Sequence, residues 1–273
     1  MKMSLIETVE LETNLETLKI IDCSWHMPQT NRNGYDEYKN LHIPNAIFFD
    51  LDKNSKKETD LPHMLVGLKE WEEIVSDMGI NNDDQIVIYD NSDVISSCRC
   101  WYNFIYYGHN PKLIKILNGG LKKWIGENCE IDNVLPKITK SNYKAKEFKN
   151  LVKDKNQINE NIIKKEFSLI DARSIERFNG EVKEPRAGLR SGNIENSTCI
   201  PFTYLINSDK TFKSVKEIKE IFNKNLRNLS SNNVVFSCGS GVTACVLALA
   251  YSIINDNYLP IIYDGSWSEY GQT

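Results

Sequence analysis

The chain of 273 residues lacks several features that would assign it to a common class of protein. Acidic residues outnumber basic ones by 37 to 33, so the net charge of −4 provides no positive field to recruit nucleic acid. No apolar run approaches the roughly 20 residues that a membrane-spanning helix needs. The four histidines and seven cysteines show no metal-site spacing. We therefore expect no nucleic-acid, membrane or metal-binding role.

Targeting signals are also absent from the amino-terminal segment. Residues 1–16 are acidic, without the apolar stretch of a secretory signal or the arginine-rich, acid-poor composition of a mitochondrial transit peptide. The odd number of cysteines indicates free thiols in a reducing compartment. We predict a cytoplasmic protein, with the mitochondrion as the alternative location.

The most informative segment is the loop between the β-branched run Val234–Phe236 and the helix-forming run Ala244–Ile254. Cys238 lies in this loop, at the predicted end of a strand and just before a helix. Unpaired amides at a helix start stabilise an anion, which favours the thiolate and makes this cysteine a candidate nucleophile. Gly239 and Gly241 let the backbone curl and turn N–H groups toward the sulfur. A lone cysteine is more often buried and inert, but the glycine loop favours a reactive thiol.

A loop of this length after a cysteine is also found in cysteine phosphatases. Those enzymes need an arginine six positions after the cysteine, because its planar fork holds the phosphate. Ala244 occupies that position here, so the sequence argues against phosphate as the ligand.

An internal repeat defines the domain organisation. Short apolar runs recur in the same order about 150 residues apart, at 18–22, 86–90 and 116–120 and again at 167–171, 234–238 and 262–265. The segments 68–78 and 215–226 have the spacing of amphipathic helices. Alternating strands and helices predict an α/β fold with two tandem domains, each a mainly parallel sheet flanked by helices. We place the domains at 1–133 and 150–273, with a linker at 134–149.

The repeat also assigns different roles to the two halves. Asp90 occupies the place in the first half that Cys238 occupies in the second, and the glycine pair is missing after it. The first half therefore lacks the nucleophile and its anion cradle. Ligand sites in such folds lie at the carboxyl ends of strands and often between domains. We expect the second half to perform the chemistry and the first to shape the site.

Together these motifs resemble the tandem-rhodanese sulfurtransferases, and within that group those of the 3-mercaptopyruvate type. The loop 238–244 matches the mercaptopyruvate-type active loop, since thiosulfate-type relatives usually carry charged residues where this chain has Gly239 and Ser240. The supporting segments are 22–25, 42–44, 48–52, 62–65, 171–173, 177–180, 184–186 and 264–267.

The resemblance implies an enzyme that moves sulfur from 3-mercaptopyruvate through a persulfide to thioredoxin, a small thiol or cyanide, releases pyruvate and uses no cofactor. The catalytic residues that it implies are Cys238, Ser240, His63 and Asp52. The substrate-binding residues that it implies are Arg177, Arg186, Gly239, Gly241, Val242 and Thr243.

The residues alone leave alternatives open for several of these positions. Both arginines could be surface residues paired with Glu181 and Glu184, the histidine could serve packing, and the aspartate could belong to a polar turn. Asn45 and Asn193 depart from the family pattern in two turns, which puts local geometry in question. The alternative functions are thiosulfate:cyanide sulfurtransfer and a non-enzymatic rhodanese module for persulfide relay or protein binding.

Overall fold

The computed structural model describes residues 4–226 and 231–273, and within them each half of the chain builds one sheet. The first sheet contains β1 (Leu5–Ile6), β2 (Lys19–Asp22), β3 (Ile47–Phe48), β4 (Ile86–Tyr89) and β5 (Ile114–Leu117). The second contains β6 (Val152–Lys153), β7 (Ser168–Asp171), β8 (Thr198–Cys199), β9 (Val234–Ser237) and β10 (Ile262–Tyr263).

The two sheets have the same strand order. The first runs β1-β5-β4-β2-β3 and the second β6-β10-β9-β7-β8, and every pairing of named strands is parallel. β2 pairs with β4 through Ile21 and Ile88, and β7 pairs with β9 through Ile170 and Phe236. The repeat in the sequence is thus a repeat of one α/β unit, and the prediction of two tandem parallel-sheet domains is confirmed.

Helices flank both sheets. They are α1 (Thr8–Glu12), α2 (Gly34–Asn40), α3 (Leu68–Asp77), α4 (Ser97–Tyr106), α5 (Gly120–Gly126), α6 (Lys155–Lys164), α7 (Ile175–Asn179), α8 (Val215–Asn223), α9 (Ala244–Ile254) and α10 (Ser266–Tyr270). The two amphipathic segments of the sequence form α3 and α8, which end one and three residues earlier than the periodicity predicts. The side chains of Ser214 and Glu217 form a capping box that fixes the start of α8.

The two halves meet along α4 and α9, which pack against each other. All of α4 is buried, and so is α9 from Ala244 to Ser252. A helix that is apolar on all sides must be covered on all sides, as α9 is. Since these helices follow the equivalent strands β4 and β9, the loops after those strands lie close together.

The segment between the two sheets lies against the first half. Tyr143 is 1% exposed, the Ser141 amide donates to the carbonyl of Ser76, and the Phe148 amide donates to the carbonyl of Tyr106. The domain boundaries on either side of 134–149 stay predictions. In the described ranges, no helix combines the length and apolar character needed to cross a membrane.

Candidate active site

Cys238 follows the last residue of β9 and lies in a cleft between the two halves, with a volume of about 360 Å³. Its side chain is buried, with the residue only 2% exposed. The first half lines the cleft with Trp25, Met27, Pro28, Gln29, Asp93 and Val94. The second half lines it with Ala172, Arg173, Ser174, Arg177, Pro185, Arg186, Phe202, Cys238, Gly239, Ser240, Val242 and Thr243.

The loop after Cys238 presents backbone donors without protein partners. Among the described residues, none accepts a hydrogen bond from the amides of 239–243. The amide of Cys238 itself donates to Ser266 Oγ at 3.2 Å. Amides that converge in a tight loop before a helix attract an anion. This arrangement agrees with the anion cradle expected from the sequence.

The start of α10 holds this loop in place. The Trp267 amide donates to the carbonyl of Cys238 and the Ser268 amide to the carbonyl of Gly239, both at 2.9 Å. These bonds turn the two loop carbonyls away from the cleft side where an anion would lie. The segment 264–268 is therefore a structural support of the cysteine loop.

In the corresponding loop of the first half, the side chain of Asp90 accepts the hydrogen bonds of the loop amides. Asp90 Oδ1 accepts from the Ser92 amide and Oδ2 from the Ser97 amide, each at 2.8 Å. Burial raises the pKa of Asp90, and the hydrogen bonds from the loop oppose this effect. The side chain of Asp90 thus occupies the position where the second half offers open amides.

Ser240, His63 and Asp52 form one chain of hydrogen bonds across the two halves. His63 Nδ1 lies 3.0 Å from Ser240 Oγ, and His63 Nε2 lies 3.1 Å from Asp52 Oδ1. A carboxylate only accepts, so Nε2 carries the hydrogen, and Nδ1 of the neutral ring accepts from the hydroxyl. The indole of Trp25 donates to Asp52 Oδ2 at 2.9 Å and meets the His63 ring edge-on at 4.7 Å.

The surroundings set the protonation of this chain. Burial lowers the pKa of His63, the Asp52 carboxylate opposes this, and the positive charges of Arg99 and Arg186 lower the pKa further. The net direction is below the ordinary value of 6.5, so the imidazole is neutral at pH 7. Desolvation acts to raise the pKa of Asp52, but the hydrogen bonds from His63 and Trp25 outweigh it and hold that pKa below its usual range.

The two arginines have different environments. Arg177 Nε and Nη2 donate to Glu184 at 3.2 and 2.5 Å, and this carboxylate also accepts from Arg173. Arg177 therefore pairs with Glu184, as in the alternative in which the arginines serve ion pairs. Its side chain is nevertheless 25% exposed and lines the cleft. In the described part of the chain, Arg186 pairs with no carboxylate and reaches Ser240 Oγ at 3.4 Å. Arg186 is thus a cation in the cleft without a counter-ion.

Most of the candidate residues line the cleft, but three of them do not. His63 and Asp52 reach the cleft through Ser240 and do not line it themselves. Gly241 also does not line it, and its φ of +77° is a left-handed conformation that favours glycine. A Cβ atom at Gly241 would lie 2.5 Å from Arg99 Nη1, so this position also needs glycine for space.

The two departures from the family pattern lie outside the cleft lining. Asn45 has a φ of +64° and Asn196, in the second turn, a φ of +62°. Asparagine tolerates the left-handed region better than other residues with a side chain. Asn193 donates to the carbonyl of Phe178 at 3.1 Å. Both turns therefore form without glycine.

Sequence reasoning missed two features of this site: the presence of Arg99 and the hydrogen bond from Trp25 to Asp52. Arg99 is the only charged residue of α4, a helix that is otherwise apolar or neutral. An isolated charge in a buried helix was the signal that could have identified it. Trp25 gave no such signal, since its hydrogen bond to Asp52 joins two loops that are 27 positions apart.

Comparisons with known proteins agree with this architecture. The sequence model of the rhodanese-like domain matches residues 7–127. Thiosulfate/3-mercaptopyruvate sulfurtransferase 1, mitochondrial, of Arabidopsis thaliana is 36% identical over 274 residues, covering 93% of this chain and 71% of the relative. The 3-mercaptopyruvate sulfurtransferase of Homo sapiens is 34% identical over 257 residues, covering 93% and 85%. The crystal structure of SseA from Escherichia coli superposes with a TM-score of 0.86 at 29% identity, covering 98% and 100%.

Two parallel sheets with a cysteine loop at their junction define a tandem-rhodanese protein. The chain belongs to the rhodanese family of sulfurtransferases. It is an enzyme that transfers sulfur.

Proposed function

We propose that the enzyme transfers sulfur from 3-mercaptopyruvate through a persulfide on Cys238 to a thiol acceptor and releases pyruvate. The observation that carries this proposal is that Arg186, in the cleft beside Ser240 and its histidine, pairs with no carboxylate among the described residues. 3-Mercaptopyruvate brings a carboxylate that needs a planar cationic partner, and a thiol proton that needs a relay. The cleft supplies both next to one cysteine.

In the first half-reaction the thiolate of Cys238 attacks the sulfur of 3-mercaptopyruvate. The S–S bond forms while the C–S bond breaks, and its electron pair passes into the enolate of pyruvate. The proton of the substrate thiol ends on the methyl carbon of pyruvate. Ser240 takes this proton as it gives its own to His63, and the transfer reverses toward the enolate carbon. Asp52 orients the imidazole and stabilises its transient positive charge.

The cradle of 239–243 then holds the persulfide. No hydrogen bond from these amides ends on the sulfur of Cys238, so they are free for the outer sulfur that the reaction adds. Gly239 leaves room for the substrate, because a Cβ atom there would lie 3.4 Å from Arg177 Nη2 and 3.7 Å from Arg186 Nη1. Val242 and Thr243 complete this wall of the cleft.

In the second half-reaction a thiolate attacks the outer sulfur, and the electron pair of the S–S bond returns to Cys238 as a thiolate. Thioredoxin, a small thiol or cyanide would serve as acceptor. We place the reaction in the cytoplasm, with the mitochondrion as the alternative because the Arabidopsis relative is named mitochondrial. Imaging of the full chain with a carboxyl-terminal tag tests this location.

Thiosulfate is the second candidate donor, because the Arabidopsis relative is named for both donors. Thiosulfate is a dianion and benefits from cationic residues in the cysteine loop itself. Positions 239 and 240 are neutral in this chain, which favours the mono-carboxylate.

Steady-state turnover of the purified protein with 3-mercaptopyruvate and with thiosulfate, using 2-mercaptoethanol as acceptor, tests the proposal. We expect 3-mercaptopyruvate to be preferred and Cys238→Ser to abolish turnover. Cys129→Ser, a cysteine remote from the cleft, is the matched control and should turn over normally. A preference for thiosulfate would overturn the donor assignment, and activity of the Cys238→Ser variant would overturn the nucleophile.

A further inference from the structure

We propose that Arg99 is a positioning residue that ties the histidine of the first half to the cysteine loop of the second half. This inference rests on the proposed function, because it concerns the proton relay and the nucleophile loop of that site. Arg99 lies on α4, has no solvent exposure, and touches none of the atoms that would react. It acts through the backbone of its neighbours.

The guanidinium of Arg99 bridges three groups at once. Nη1 donates to the carbonyl of Gly241 at 3.1 Å and Nη2 to the carbonyl of His63 at 2.6 Å. Nη2 also forms an ion pair with Asp264 Oδ1 at 2.7 Å. The contact with Asp264 Oδ1 is an ion pair without a hydrogen bond, whereas the two carbonyls accept from fixed directions of one planar fork. A lysine ammonium cannot reproduce that geometry. One side chain thus sets the separation between the relay and the cysteine loop.

Both carbonyls that Arg99 holds belong to unusual backbone conformations. His63 has a φ of +61° and Gly241 a φ of +77°. A left-handed conformation at a residue with a side chain persists only when its surroundings hold it. The hydrogen bond from Arg99 fixes the carbonyl of His63, and hence the direction of its peptide, in that conformation. The ring of His63 can then face Ser240.

Asp264 completes the bridge by contacting the same segment of the first half. Its Oδ2 accepts from the Leu65 amide at 2.9 Å, two residues beyond His63. Asp264 also begins the segment 264–268, which supports the carbonyls of Cys238 and Gly239. The Arg99–Asp264 pair therefore joins the segment of His63 and Leu65 to the cysteine loop.

Within the described ranges, the equivalent pair of positions in the internal repeat carries no such ion pair. With the offset that aligns Asp90 with Cys238, the counterpart of Arg99 is Leu247 on α9, which is fully buried. In the strands that precede them, Ile262 of β10 is equivalent to Ile116 of β5, so the counterpart of Asp264 is Asn118. Its Oδ1 accepts from the Phe212 amide of the other half at 2.9 Å. Burying two charges is costly even when they are paired. The presence of the Arg99–Asp264 pair beside the cysteine loop, and its absence from the repeat positions Leu247 and Asn118, therefore need a local reason. Positioning of the active loop supplies that reason.

The test compares the double variant Arg99→Met/Asp264→Asn, the single variant Arg99→Lys and the control Asn118→Ala. The double variant removes both buried charges, and asparagine keeps an oxygen for the Leu65 amide. We expect kcat with 3-mercaptopyruvate to fall about 100-fold in the double variant and about 10-fold in Arg99→Lys, as for misplacement of reacting groups by about 1 Å. KM should change by less than about threefold, and alkylation of Cys238 by iodoacetamide at pH 7 should slow.

Asn118→Ala breaks a contact between the halves at the repeat position of Asp264, so it should retain the parental kcat and alkylation rate. Thermal unfolding and gel filtration identify the folded variants. A folded double variant or Arg99→Lys variant with parental kcat and parental alkylation rate would overturn the proposal. If the parent itself fails to use 3-mercaptopyruvate, the proposed donor fails, while the alkylation rate, which needs no donor, still tests Arg99.

Discussion

Replacing Arg186 with methionine should weaken the use of 3-mercaptopyruvate more than any other single change among the cleft cations. Arg186 has no carboxylate partner among the described residues, and its long 3.4 Å contact with Ser240 leaves its donors for the substrate. Hydrogen bonds to a charged group contribute about 1.5–3 kcal/mol, which corresponds to roughly 10- to 160-fold in kcat/KM. Arg177→Lys should have a smaller effect, because Glu184 already engages that guanidinium.

The assay measures kcat/KM for 3-mercaptopyruvate and the inhibition constant of pyruvate, which shares the carboxylate and the ketone. The rate of persulfide transfer to 2-mercaptoethanol, a neutral acceptor, is the internal control and should change little. Lys122→Met, at an exposed cation of the first half, controls for a general loss of positive charge. Removing the charge of Arg186 should also raise the pKa of His63, so the acid limb of the kcat profile moves to higher pH.

Two results would refute this reasoning. An unchanged kcat/KM in Arg186→Met would show that the substrate carboxylate binds elsewhere. An equal loss in the donor and neutral-acceptor steps would show that Arg186 supports the cysteine loop and has no particular role for the donor.

Three further predictions concern pH and stability. Asp52→Asn removes the group that raises the pKa of His63, so the acid limb of the kcat profile should move to lower pH. Turnover should also fall roughly tenfold or more. An unchanged pH profile would exclude the relay. Burial raises the pKa of Asp22 from 3.8 to about 7, so its contribution to stability is full below pH 3.8 and is lost as the pH rises through about 7. Asp22→Asn should therefore be a few kcal/mol more stable than the parent at pH 8 and similar at pH 4 in urea unfolding, which equal stability at pH 8 would contradict. Arg173→Met strands two buried carboxylates and should lower the free energy of unfolding by about 3–5 kcal/mol, whereas a loss below about 1 kcal/mol would contradict the buried pairing.

The central strands and the buried helix were predictable because their sequence patterns are local. The run Val234–Phe236 begins β9, and Ala244–Ile254 forms α9 as the composition indicates. The edge strands were missed, since β1, β3, β6 and β8 have two residues each and leave no periodic pattern. Such strands form only because a neighbouring strand offers hydrogen bonds.

For the candidate site, sequence reasoning identified side chains but not their partners. Cys238 was evident from its loop, whereas the different states of Arg177 and Arg186 depend on whether Glu184 lies within reach. The bridge made by Arg99 depends on the packing of α4 beside the loop of the other half, which no local pattern encodes.

The Asp90 side chain in the loop of the first half has a consequence for the stability of the proposed persulfide form. The side chain of Asp90 accepts from the amides of Ser92 and Ser97 at all times, so the loop of that half is always occupied. In the proposed mechanism the second half reaches that state only while Cys238 carries a persulfide. The contacts between the outer sulfur and the loop amides exist in the folded state alone, so they would stabilise that state. In the proposed mechanism the two halves therefore differ in occupancy, and the thermal unfolding temperature would rise with the fraction of molecules that carry the persulfide.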